Sequence, residues 1–130
     1  MLLDDQLLDK LTAEAKQSPR LRTHYNLHES LDAKAQRLFV ALEPGTVLPI
    51  HRHQLTNETQ LLIRGHIKIS FYNDLKEVTE VYDLNPTNGA FGVQIPKGQW
   101  HTLEVLESGS VIIEVKDGPY KPSSLEDILE

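Results

Sequence analysis

Cysteine is absent from this 130-residue chain. It can therefore form neither a disulfide framework nor a thiolate nucleophile, and any metal it binds must be held by nitrogen and oxygen. No stretch approaches the roughly 18 consecutive apolar residues that a membrane span requires. Cations are in short supply: 13 lysines and arginines against 19 acids leave a formal charge of −6. That balance argues against nucleic acid as the main partner, because phosphate binding needs a basic face. The opening "MLLDDQLLDK" carries aspartates where a secretory signal would be basic, so a cytoplasmic location is expected. Repeats and low-complexity tracts are also missing. What is present is 39% hydrophobic and 25% charged residues, the balance of a soluble globular protein of one compact domain.

Leu3, Leu7, Leu8 and Leu11 recur at helical spacing, predicting an amphipathic helix over about 4–17 that "SPR" at Ser18 to Arg20 stops. Between Leu21 and Lys34 the chain reads as polar and irregular. From Gln36 the pattern turns to strands: "RLFVALEPG", "HIKISFYND", "EVTEVYDL", "FGVQIPKG", "WHTLEVLESG" and "SVIIEVKDG" follow one another with turn signals between. Seven or eight short strands of this kind predict an all-β sandwich or barrel. In the tail "KPSSLEDILE", Ser123 or Ser124 is a candidate N-cap for a last short helix. The expected organisation is an N-terminal helix in 1–19, a barrel in 20–122 and a tail in 123–130.

Within "GTVLPIHRHQLTNETQLLIRG", His51 and His53 stand two apart, and on a strand such residues project to the same face. Glu58 follows the turn "QLTN" and can return on the neighbouring strand toward the same point. Two imidazoles and a carboxylate suit a borderline divalent ion. Taken alone, the histidine pair reads more readily as two solvated strand residues. His101 changes that balance, because the Pro96-x-Gly98 turn delivers it to the start of another strand whose inward face continues with Leu103 and Val105.

Gly45-x5-His51-x-His53-x4-Glu58-x6-Gly65 resembles the first motif of the cupins at every defined position. Pro96, Gly98 and His101 match the second, which departs where Ala90 replaces a leading glycine and Val105 an asparagine. The resemblance implies a double-stranded β-helix, or jelly-roll barrel, with a metal held by His51, His53, Glu58 and His101. Residues 20–122 further resemble the WbuC-type cupin fold metalloproteins. The features carrying this are Arg22 and His28, Gln36 and Arg37, Pro49 before the histidine pair, and Glu114, Lys116, Gly118, Pro119 and Tyr120. Ile50 departs from that pattern in the place before the first ligand. Such proteins occur among genes for bacterial surface polysaccharide, which implies a carbohydrate setting more than a particular reaction.

Three neutral imidazoles and one carboxylate around Fe(II), Mn(II) or Ni(II) leave two of six positions open, whereas tetrahedral Zn(II) would be closed. The expected cofactor is one divalent ion of Fe, Mn, Ni or Zn. Candidate pocket residues are Arg22, His28, Arg37, Glu114, Lys116 and Tyr120, with His24 beside them. Gln36 and Arg37 occupy opposite faces, so at most one points inward. Glu114 and Lys116 face opposite to Val111, Ile113 and Val115. If that apolar set packs between sheets both are solvated, and if it faces outward both line the cavity. His66 reads as a turn residue, and Trp100 and Tyr120 as packing residues. The expected function is a metal-dependent isomerase, epimerase or lyase acting on a small carbohydrate-like or hydroxy-acid substrate. The alternatives are an Fe(II)-dependent dioxygenase and a non-catalytic metabolite sensor. A homodimer is expected, because barrels of this size leave sheet edges that natural proteins cover by pairing.

Overall fold

The computed structural model describes residues 1–130. Helix α1 spans Asp5–Gln17, opened by Asp4, whose side chain accepts from the Leu7 amide at 3.1 Å. Pro19 disfavours helical geometry at Ser18 and ends it there. No helix is long and apolar enough to cross a membrane.

Ten strands follow: β1 Arg22–Asn26, β2 Ala35–Leu42, β3 Ile50–His51, β4 Glu58–Arg64, β5 Ile67–Tyr72, β6 Val78–Leu84, β7 Gly92–Ile95, β8 Trp100–Val105, β9 Ser110–Asp117 and β10 Ile128–Leu129. They form two five-stranded antiparallel sheets, ordered β1-β2-β9-β4-β7 and β10-β3-β8-β5-β6. This is an all-β jelly-roll barrel with one short N-terminal helix. Leu38, Val40, Leu62, Ile67, Ile69, Phe71 and Ile112 are among the side chains that fill the space between the sheets.

The first sheet is covered on its outer face as well. Leu8, Leu11 and Ala15 of α1 pack on Phe39, Ala41 and Val111. Strand β2 is therefore buried on both faces from Leu38 to Leu42, and its run "LFVAL" is continuous rather than alternating.

Two segments differ from the sequence expectation. The stretch after Leu21 is not wholly irregular, since β1 pairs along β2 from Arg22↔Leu42 to Asn26↔Leu38. Its apolar signal is weak because it is an edge strand, with only Tyr25 packed against the helix cluster. The tail makes a single 3-10 turn at Leu125–Asp127 instead of an α-helix, and then β10 pairs with β3. Ile128 lies opposite His51, so the tail is part of the barrel. Arg52 donates to the Glu126 carbonyl at 3.1 Å and Gln54 to Asp127 at 2.6 Å, pinning it across the loop after β3.

Gly65 makes the β4–β5 turn at φ +101°, where a Cβ would fall 2.6 Å from the Ser110 Cα. Both facts require glycine there.

Candidate metal centre

Strand pairing puts His51 directly opposite His101. His53 follows two residues later, just beyond the end of β3, where its ring still turns toward the other two. The ring nitrogens of these three histidines all lie within 4.8 Å of one another. Glu58 begins β4 between Ile95 and Lys116, and its Oε2 reaches to 3.2 Å from His53 Nε2 and 3.7 Å from His101 Nε2. The Pro96–Gly98 turn is tied to the same place by the Gly98 amide, which donates to the His53 carbonyl at 2.7 Å.

The imidazoles are oriented for coordination. Backbone carbonyls of Pro49 and Gln99 lie 3.0 and 2.9 Å from Nδ1 of His51 and His101. Each fixes a proton on Nδ1 and leaves the Nε2 lone pair free. His101 Nε2 and Glu58 Oε2 are buried and have no hydrogen-bond partner. Unpartnered buried polar atoms are rare, and a bound ion satisfies both at once. Two donors about 2.1 Å from one ion sit roughly 3 to 3.5 Å apart, a range that holds the 3.2 Å contact of Glu58 with His53 and falls just short of its 3.7 Å contact with His101. The donor set fits one divalent metal.

Electrostatics agree. Burial, reinforced by His51, lowers the His101 pKa to about 4, and burial lowers His51 as well. Both rings are neutral ligands at neutral pH. Burial alone would raise Glu58, but its contact with His53 and the nearby His101 and Lys116 outweigh it and hold the carboxylate at about 2. Glu114 goes the other way: burial and the Glu58 charge push it up to about 8.

The ligand atoms open into a cavity of about 170 Å3, which Glu114 and Lys116 line. Val111 and Ile113 face outward under α1, and this turns the alternate residues inward. A wider basin of about 510 Å3 lies toward the tail, and a second chamber of about 380 Å3 lies toward β1. Lys116 and Tyr120 line all three spaces. His28 lines the chamber near β1, with His24.

Two candidates fall elsewhere. Arg37 is exposed on the outer face of β2, because Gln36 takes the buried inner position and donates to the Ala33 carbonyl at 2.8 Å. Arg22 is spent on Thr46 Oγ1 at 3.1 Å and the Val47 carbonyl at 3.2 Å, bracing β1 against the loop before β3. Trp100 donates to Asp74 at 2.8 Å beneath the Arg52 guanidinium, a packing role. Gln60 was not among the sequence candidates. Its Nε2 donates to Glu58 Oε1 at 3.1 Å and Glu114 Oε1 at 3.5 Å, joining the two carboxyls. Its place two residues beyond Glu58 on one strand was the available signal.

A family model described as a domain of unknown function (DUF6016) matches residues 3–84. No curated protein matches the sequence. Among solved structures the fold is similar to KdgF from Halomonas sp., with TM-score 0.62 and 17% identity over 80% of this chain and 83% of that one. It is also similar to the capsular polysaccharide assembling protein CapF from Staphylococcus aureus, with TM-score 0.67 and 21% identity over 81% of this chain. The match spans only 30% of CapF. An oxalate oxidase in complex with the substrate analogue glycolate gives TM-score 0.59 at 16% identity, over 79% of this chain and 55% of that one. These neighbours are cupins, and the barrel is a cupin barrel.

Proposed function

For a chain that belongs to the DUF6016 family and carries a cupin barrel, we propose a metal-dependent enzyme that moves protons on a small hydroxy-acid or carbohydrate-like substrate. The observation that carries this reading is Glu114, a carboxyl held near pKa 8 beside the three-histidine cluster. A buried carboxyl whose pKa is raised above the ordinary carboxylate range is suited to take a proton from carbon or oxygen and return it. His51, His53, His101 and Glu58 would hold the ion. When bound, the ion supplies Lewis acidity that lowers the cost of negative charge on a chelated oxygen.

The chain's own residues do the rest. Gln60 fixes the spacing of Glu58 and Glu114 through one amide. Lys116, also lining the cavity, offers a cation to an anionic substrate or to charge developing on its oxygen. Leu48 and Leu103 give the cavity its apolar wall and limit water.

Two of the similar structures support the substrate class. Glycolate is a 2-hydroxy acid, and CapF is a capsular polysaccharide assembling protein. With the WbuC-type features of residues 20–122, they favour a role in surface polysaccharide biosynthesis, carried out in the cytoplasm by a homodimer. Fe, Mn and Ni suit the site better than Zn, because six-coordinate ions leave room for substrate.

The test is proton exchange. Protein loaded with Mn(II) should catalyse deuterium incorporation from D2O next to the carbonyl or carboxyl of some member of a panel of hydroxy acids, uronic acids and ketoses. Glu114→Gln should remove the exchange and keep full metal content. Exchange that is indifferent to Glu114→Gln would overturn the assignment. Uptake of O2 by the Fe(II) form without any exchange would replace it with the dioxygenase reading.

A further inference from the structure

The chamber near β1 is a built space with the wrong charge for this protein. In a chain of formal charge −6, its walls include Arg20 and Lys116 and a single acid, Glu114, which Gln60 engages on the metal side. The ion pairs made by lysine and arginine side chains involve Arg52 and Arg64 alone. Arg20 therefore has no acidic partner, and Lys116, although near enough to Glu58 and Glu114 to favour their ionised forms, makes no direct ion pair. The positive field registers on His24, whose pKa is lowered by burial and then by Arg22, Arg20 and Lys116.

His28 supplies the second observation. It is only 7% exposed, and its Nδ1 sits between the Arg37 amide at 3.0 Å and the Arg37 carbonyl at 2.9 Å. That Nε2 is buried and has no partner. A buried ring nitrogen without a partner is rare, so this one is poised for a group that the folded chain does not itself provide, and that group is an anion when Nδ1 accepts from the amide and Nε2 carries the proton. Gln36 beside it is already committed through Nε2 to the Leu31 and Ala33 carbonyls at 3.3 and 2.8 Å, which fixes that wall.

We propose that this chamber binds a second anionic group of the substrate, at Arg20, His28 and Lys116, while the chelating end lies at the histidine cluster. The inference rests on the functional reading above and narrows it. The substrate is a hydroxy acid, or a sugar acid, with a carboxylate or phosphate at its far end. His24, Glu114, Lys116 and Tyr120 line both spaces, so the two adjoin.

Isothermal titration of the Mn(II)-loaded protein tests it with lactate, 2-hydroxyglutarate and 3-phosphoglycerate, which share a 2-hydroxy acid end. At least one of the two longer anions should bind about tenfold or more tightly than lactate, and which one does so identifies carboxylate or phosphate as the distal group. That ratio should fall toward unity in Arg20→Gln, a surface change that leaves the core untouched, and in His28→Gln. Equal affinity for all three acids would overturn the proposal and leave the metal-site reading standing. So would a preference that both variants retain. Failure of every acid, lactate included, to bind the loaded protein would instead refute the functional reading from which the proposal starts.

Discussion

His101 lies inside the barrel at 2% exposure, whereas His66 reaches outward to Asp83 at 2.6 Å. His101→Ala should therefore reduce bound metal to a small fraction of wild type by elemental analysis, and His66→Ala should leave it near stoichiometric. Full metal in the His101→Ala protein would remove that residue from the ligand set. Protonation gives a second prediction. The folded pKa of His101 is about 4 against an ordinary 6.5, so between those values the unfolded chain binds the extra proton and the folded chain does not. Glu114, raised to about 8, acts in the opposite direction over the same window, so metal-free Glu114→Gln protein isolates the ring: its stability should rise with pH and fall by up to about 3 kcal/mol on acidification from 6.5 to 4. Melting temperatures across that range measure it, and a flat profile would contradict the buried neutral ring. At this scale the convergence of His51, His53, Glu58 and His101 was readable, because motif spacing acts locally. The direction of Glu114 and Lys116 was not, since it depends on which face of β9 a distant helix covers.

Strand β2 shows how an element can hide its own environment. Phe39 and Ala41 lie under α1 while Leu38, Val40 and Leu42 point into the barrel, so one strand serves two cores. Phe39, 2% exposed, is the largest fully buried side chain in the outer contact, and Phe39→Ala should cost about 3–5 kcal/mol in denaturant unfolding. A loss below about 1 kcal/mol would mean that the helix is a loosely held appendage. The helix itself was legible from its leucine spacing and its stop at Pro19. Strand β1 was obscured because its inner side is polar, carrying His24 and Asn26 toward the chamber. The tail misled for a related reason: Ser124 has the right chemistry for an N-cap but makes no side-chain capping bond, and Ile128 and Leu129 are claimed by β3 instead. In each case the deciding contact is long in sequence, and local pattern does not contain it.

As a whole the molecule is two sheets closed around a polar, ligand-rich end, with edges at β1, β7, β10 and β6. Strand β6 carries Val78 and Val81 more than half exposed, an edge of the kind that proteins cover by pairing. We expect a homodimer for this reason, and a monomeric mass by light scattering at micromolar concentration would refute it. Central to the account is that the histidine cluster holds a metal with positions left for substrate. X-ray absorption of the Mn(II)- or Fe(II)-loaded protein, with and without a 2-hydroxy acid, tests this most directly. The account predicts three imidazole nitrogens and one carboxylate oxygen from the protein, further light-atom ligands from solvent, and a changed shell when the acid is added. A four-coordinate ion bound by protein alone, unchanged by every chelating acid, would contradict it.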